Sequence, residues 1–174
     1  TQRAAVRERL APAWSRGQLY AVVDAARSPR ALQLLDEAID KHASLYTGDR
    51  GRGLDGEAPY LVRLSPSSGL LSRLLAEGWG RAWGIYLASG ASPLKVRRSL
   101  RRLLMVAADT ERHPLYFRFY DPRVLRRFVP LATAKQRTQF LAASEAIFYE
   151  NADASLAELT RDGSEAGPLV EELT

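Results

Sequence analysis

The chain of 174 residues has no cysteine, one methionine and only two histidines. Without cysteine there is no disulfide, no thiolate nucleophile and no cysteine-ligated zinc, which fits a reducing compartment. His42 and His113 are far apart, and neither has a second histidine nearby to build a metal centre. Long apolar runs are missing as well: none approaches the roughly 18 residues that span a bilayer. The segment Thr1 to Trp14 is amphipathic and arginine-bearing, without the apolar centre of a signal peptide. Cytoplasmic residence is therefore expected, and Thr1 in first place suggests a natural start further upstream. Gly48-Asp49-Arg50-Gly51-Arg52-Gly53 lacks the lysine-serine/threonine ending of a phosphate loop, and no Gly-x-Ser-x-Gly elbow exists. What is present, 46% hydrophobic and 26% charged residues, suffices for one domain with a real core.

Acids are scarce where bases are dense. Residues 95–127 carry 10 basic and 3 acidic side chains, whereas the chain from Glu145 onward carries 8 acidic and 1 basic. An acidic tail folded over a basic middle and an acidic partner bound there are both compatible with this asymmetry.

Apolar periodicity and capping residues divide the chain. Leu19 to Asp24 reads as a buried strand, and Ser28-Pro29 opens a helix to about His42 with Leu32, Leu35 and Ile39 on one face. Gly48 to Gly56 is a charged loop, Pro59 to Leu64 a strand, and Ser68 to Glu77 a helix with Gly78 as its C-terminal cap. Trp83 to Ala88 gives a strand, and Ser92-Pro93 starts a helix to about Val106. Thr133 with Gln136 has the spacing of a capping box for a helix through Ala143, Ala146 to Tyr149 is a last strand, and Gly163 to Pro168 is loop. Strands separated by helices predict an α/β fold with a mixed or mostly parallel sheet flanked by helices. The expected organisation is a helical lead-in over residues 1–17, a domain over 18–150, and an acidic extension or start of a second lobe over 151–174.

The densest chemistry lies in Tyr116 to Leu125. Its first half alternates, placing Phe117 and Phe119 on one strand face and Tyr116, Arg118 and Tyr120 on the other. Asp121-Pro122 then reads as a helix start, a side-chain cap followed by proline at the first helical position. Arg118 and Arg123 flank Asp121, and an internal arginine–carboxylate pair locking this corner is preferred over an exposed anchor. Trp79 and Trp83, each beside glycine, read as core residues at a point of close backbone approach.

The run Phe117-Arg118-Phe119-Tyr120-Asp121-Pro122-Arg123-Val124-Leu125 resembles the signature of the type VI secretion effector adaptor, or effector chaperone, family. Leu19-Tyr20-Ala21-Val22-Val23-Asp24 looks like that family's opening strand. Leu45-Tyr46, Ala58-Pro59-Tyr60-Leu61-Val62, Gly78-Trp79-Gly80 with Trp83-Gly84, and Leu100-Arg101-Arg102-Leu103-Leu104 follow in the family's order. The resemblance covers about Leu19 to Tyr149. One departure is Ser99, where family members often have a histidine. The resemblance implies a binding protein and no enzyme. Such a protein would bind a cognate toxic effector and promote its loading onto the spike protein VgrG or a PAAR-tipped spike, without a cofactor. It marks Tyr20, Asp24, Pro59, Trp79, Trp83, Phe117, Arg118, Tyr120, Asp121, Pro122 and Arg123 as motif positions of structural character.

The helix from Pro93 carries Val96, Leu100, Leu103 and Leu104 on one face. Its other face holds Lys95, Arg97, Arg98, Arg101 and Arg102, with like-charged pairs four residues apart. Partner binding is expected through Arg97, Arg98, Arg101 and Arg102, with Arg126 and Arg127 close in sequence. A nucleic-acid-binding module is the alternative, although this helix offers no aromatics for base stacking. A catalytic cluster at Asp109, Glu111 and His113 is a third reading, in which charged loop residues are the simpler account.

Overall fold

In the computed structural model, which describes residues 1–46, 53–106 and 115–162, the chain forms three layers. Six strands make the central sheet: β1 (Leu19–Asp24), β2 (His42–Ser44), β3 (Pro59–Arg63), β4 (Gly84–Ala88), β7 (Ala146–Glu150) and β8 (Leu156–Thr160). A two-residue pair, β5 (Met105–Val106) and β6 (Leu115–Tyr116), lies apart from it. The helices are α1 (Gln2–Ser15), α2 (Pro29–Glu37), α3 (Leu70–Gly78), α4 (Pro93–Leu104), α5 (Pro122–Phe128) and α6 (Ala134–Phe140).

The α/β class holds, but the expected parallel character does not. The order is β2-β3-β1-β4-β7-β8, and every neighbouring pair is antiparallel. The helical connections β1-α2-β2 and β3-α3-β4 do join strands of like direction. Between each such pair, however, an antiparallel strand is inserted, β3 in the first case and β1 in the second. The sequence shows the alternation of strands and helices, not what slides between them. All six positions of β1 are buried because helices cover both faces of the sheet, and such coverage is also what makes parallel strands read as unbroken apolar runs.

On one face Leu19, Ala21, Val23, Val62 and Phe148 pack against Val6 and Leu10 of α1, Leu34 and Leu35 of α2, and Leu71 and Leu74 of α3. On the other, Tyr20, Val22, Leu61, Ile85, Leu87 and Ile147 meet Val96 and Leu100 of α4, Leu125 of α5, and Phe140 from the end of α6. Thus α1, in the expected lead-in, contributes to the core, and residues 156–160 of the expected extension complete the sheet.

Local signals explain the helix starts. The Ser28 hydroxyl accepts the Arg30 N–H, Asp121 accepts the Arg123 N–H, and Thr133 and Gln136 close a reciprocal capping box. Helix ends differ from expectation: α4 stops at Leu104, short of Val106, and α6 at Phe140, short of Ala143. α2 stops at Glu37 and leaves Ile39 exposed, because the buried Asp40 carboxylate is held across the fold by the Ser65 N–H at 2.6 Å and by the Ser68 hydroxyl. Gly78 is the last residue of α3, not a left-handed cap; its need for glycine is steric, since a Cβ there would lie 2.6 Å from the Trp83 ring. No helix among the described residues is long and apolar enough to cross a membrane.

Candidate functional site

The signature segment does not run on as a strand. After Tyr116 it turns through hydrogen bonds from Phe119 N–H to Phe117 O and from Asp121 N–H to Arg118 O. The expected alternation is therefore overturned: Phe119 and Tyr120, adjacent in sequence, are both buried. Phe117 packs on Phe128 with ring centroids 5.0 Å apart, and Phe140 closes the cluster against Phe117 and Phe119.

This turn carries Arg118 to the end of β1. Its guanidinium donates to the fully buried Asp24 carboxylate at 3.0 Å, so its partner is Asp24, not the adjacent Asp121. Asp24 also accepts the Ala26 N–H at 3.0 Å. Burial pushes the Asp24 carboxyl up from its ordinary pKa, and the Ala26 and Arg118 hydrogen bonds recover only part of that shift. Asp121 accepts both the backbone N–H and the guanidinium of Arg123, the latter at 2.7 Å. Here burial works upward, but Arg123 outweighs it and holds the carboxyl below its usual range. The Tyr120 hydroxyl is raised by burial first and then by its hydrogen bond with Tyr46.

A third buried carboxylate, Glu150 at the end of β7, gave no sequence signal beyond a charge closing an apolar strand. It accepts the N–H of Gly80 at 2.6 Å and of Ala82 at 2.7 Å. Both residues have positive φ, 88° and 55°, which turns two nearby donors of one loop toward the same anion. Burial raises the Glu150 carboxyl, and the two N–H groups together with nearby Arg126 oppose the rise.

The other motif positions frame this corner. The Tyr20 hydroxyl donates to Ala91 O at 2.8 Å, and Trp79 Nε1 donates to Ala154 O at 2.8 Å. Trp83 O accepts the Asp24 N–H, and Pro59 O accepts the Leu45 N–H. Pro122 is buried at the first position of α5. At Gly84 a Cβ would sit 2.0 Å from Val22 O, so β1 and β4 approach as they do only because glycine stands there. Among the described residues no buried side-chain nitrogen or oxygen lacks a partner, and no three His, Asp or Glu side chains gather closely enough to hold a metal ion. Asp109, Glu111 and His113, with Arg50 and Arg52, lie outside the described residues.

The basic residues separate into two kinds. Arg97 is half-buried and its guanidinium donates to Ser44 O at 3.0 and 2.6 Å, tying α4 to β2. Arg98 and Arg102 are exposed, and neither has a hydrogen-bonding or ionic partner among the described residues; Lys95 and Arg101 are exposed on the same helix. Arg126 and Arg127 sit on α5, which packs on β7, and border an open groove of about 570 Å³ with Asp121, Arg123, Val124 and Phe128.

Fold and site together define an α/β domain with helices on both faces of an antiparallel sheet, a corner neutralised from within, and arginines left facing solvent. The chain belongs to the family described as Domain of unknown function (DUF4123), whose profile matches residues 19–139, from the first residue of β1 nearly to the end of α6. Searches of curated proteins and of solved structures found no match.

Proposed function

We propose that this chain is a cytoplasmic type VI secretion adaptor that binds a cognate effector and promotes its loading onto a VgrG or PAAR spike. The carrying observation is the exposed side of α4, where Arg98 and Arg102 stand without a partner among the described residues. Like charges so placed raise the energy of the free protein slightly and are relieved when an acidic surface covers them. Membership in the DUF4123 family over residues 19–139 supports the reading, as does the order of motifs the chain shares with such adaptors. The carboxylates of the signature corner support binding over catalysis, because each is already engaged by the chain's own N–H groups or guanidiniums.

The mechanism is differential binding. The adaptor covers an acidic segment of the effector, keeps it soluble, and releases it when spike contacts compete. An interface of ordinary size, about 1,600 Å² in total, is enough. The test is co-expression with the effector and spike proteins encoded beside this gene, followed by size exclusion. A stoichiometric complex, weakened by the double reversal Arg98→Glu with Arg102→Glu, is the expected result. Failure of effector and spike to co-purify, with nucleic acid bound instead and released along a steep salt slope, overturns the proposal in favour of a nucleic-acid module.

A further inference from the structure

Of the eight acidic residues from Glu145 onward, five lie within the described residues and are engaged away from α4. Glu145 faces the Gly90 N–H, Glu150 accepts the N–H groups of Gly80 and Ala82, and Asp153 accepts from Ser155. Glu158 pairs with Arg9, and Asp162 lines a hollow beside Arg16 and Arg161. The other three, Glu165, Glu171 and Glu172, belong to residues 163–174, which carry no base and include Leu169, Val170 and Leu173. These twelve residues lie outside the described ones.

The exposed side of α4 has the complementary chemistry. The helix holds five bases and no acid. Arg97 is spent on Ser44 O, whereas Arg98 and Arg102, one turn apart, have no partner among the described residues. One turn before Arg98, Leu94 is 64% exposed. Residues four apart share a helix face, so Leu94, Arg98 and Arg102 form a stripe about 12 Å long, apolar at its start and cationic beyond.

The sheet register brings the chain to the near end of that stripe. Thr160 stands opposite Ala146 and Ala146 opposite Ala88, and α4 opens five residues after Ala88. β8 is two strands away from β4, about 10 Å. Twelve extended residues reach about 40 Å and α4 is about 18 Å long, so the segment can cross the gap and follow the stripe. Arg126 of α5, by contrast, lies near Glu150, at the opposite end of β7 from Ala146.

We infer that residues 163–174 dock on the exposed face of α4 in the free protein, with Leu169 and Val170 over Leu94 and with Glu171 and Glu172 against Arg98 and Arg102. From Leu169 to Glu172 an extended chain covers about 10 Å, close to the length of the stripe. A weak contact is enough, because a short tether holds the segment at an effective concentration on the order of millimolar. An acidic partner bound at the same face must displace the segment, which therefore acts as a built-in competitor and weakens the partner's apparent affinity. The contact uses the face assigned above to a partner but does not rest on the type VI reading. Its failure leaves partner binding at Arg98 and Arg102 standing, and it is tested without an effector.

Because the chain has no cysteine, Thr174→Cys accepts a single nitroxide label, and paramagnetic broadening of backbone amides in the full chain maps where the segment lies. The amides from Leu94 to Arg102 lose most of their intensity, while those of α3, on the opposite face of the sheet, keep theirs. Arg98→Glu with Arg102→Glu abolishes the broadening, and adding Glu171→Arg with Glu172→Arg restores it. Should the helix variant misfold, Glu171→Gln with Glu172→Gln abolishes the broadening from the segment's side. A synthetic peptide of residues 163–174 then binds this second variant about tenfold more tightly than the parent, the ratio for a face left free about one tenth of the time. Broadening centred on α1 or α5, no broadening, or α4 broadening that survives the substitutions overturns the inference. So does broadening that passes from nitroxide-bearing chains to label-free chains mixed with them, which would make the occupant a second copy's segment.

Discussion

Asp121 does two jobs whose energies separate cleanly. Its carboxylate caps α5 by accepting the Arg123 N–H at 2.9 Å, and it pairs with the Arg123 guanidinium at 2.7 Å. Losing an N-terminal cap costs about 1 kcal/mol. The ion pair is 3% exposed on the Asp121 side but 44% on the Arg123 side, so solvent screening limits it to about 1 kcal/mol as well. Asp121→Ala removes both and is expected to destabilise the protein by about 2 kcal/mol, a fall in Tm of about 4–8 °C for a chain of this size. Asp121→Asn keeps the capping oxygen and forfeits the charge, so about half the loss is expected. Urea unfolding of the two variants and of Arg123→Ala, with the double mutant closing the cycle, measures each part. The coupling between Asp121 and Arg123 should come to about 1 kcal/mol. An Asp121→Ala variant within 0.5 kcal/mol of the parent would refute the reasoning, as would an Asp121→Asn variant equally damaged.

Gly84→Ala forces a methyl group to within 2.0 Å of Val22 O in the centre of the sheet; a loss above about 3 kcal/mol, or failure to fold, is expected by circular dichroism, because backbone on both sides must move. Arg97→Ala frees the Ser44 carbonyl and should lower stability by about 1 kcal/mol. Arg98→Ala and Arg102→Ala should stay within about 0.5 kcal/mol in the same denaturation assay while weakening a captured partner. The carboxylates predict opposing pH dependences. The folded Asp121 carboxyl is lowered, so its contribution is present above the unfolded value of about 3.9 and is lost as pH falls through the folded value. The folded Asp24 carboxyl is raised, so its contribution is fullest below that unfolded value and declines as pH rises through the folded one. Asp24→Asn should flatten the decline in unfolding free energy above about pH 4, and an unchanged slope would remove Asp24 as its source.

What could be read from the residues alone was whatever physics acts over a few positions. The caps at Ser28, Asp121 and Thr133, the proline starts of α2 and α5, and the apolar runs of β1 and β4 depend on near neighbours, and they form where expected. The stretch of motifs from Leu19 onward coincides with residues 19–139, which the profile of the domain of unknown function matches. The candidate site was legible in its members but not in its pairings. Arg118 finds Asp24 across 94 positions, and Glu150 collects the N–H groups of Gly80 and Ala82 from about 70 positions away. Nothing local distinguishes Arg97, spent on a β2 carbonyl, from Arg98, left in solvent.

Strand direction shows the same division. Periodicity records whether a strand is buried on one face or two, and β1 is buried on both because helices lie above and below it. It carries no information about which strand is inserted between β1 and β2 or between β3 and β4, since that choice is made by long-range packing and main-chain hydrogen bonding. Composition and short-range order thus determined an α/β domain with its helix starts and its basic helix. The tertiary structure alone decided that the sheet is antiparallel and that the signature's charges are consumed inside the fold, because both depend on groups that only the folded chain brings together.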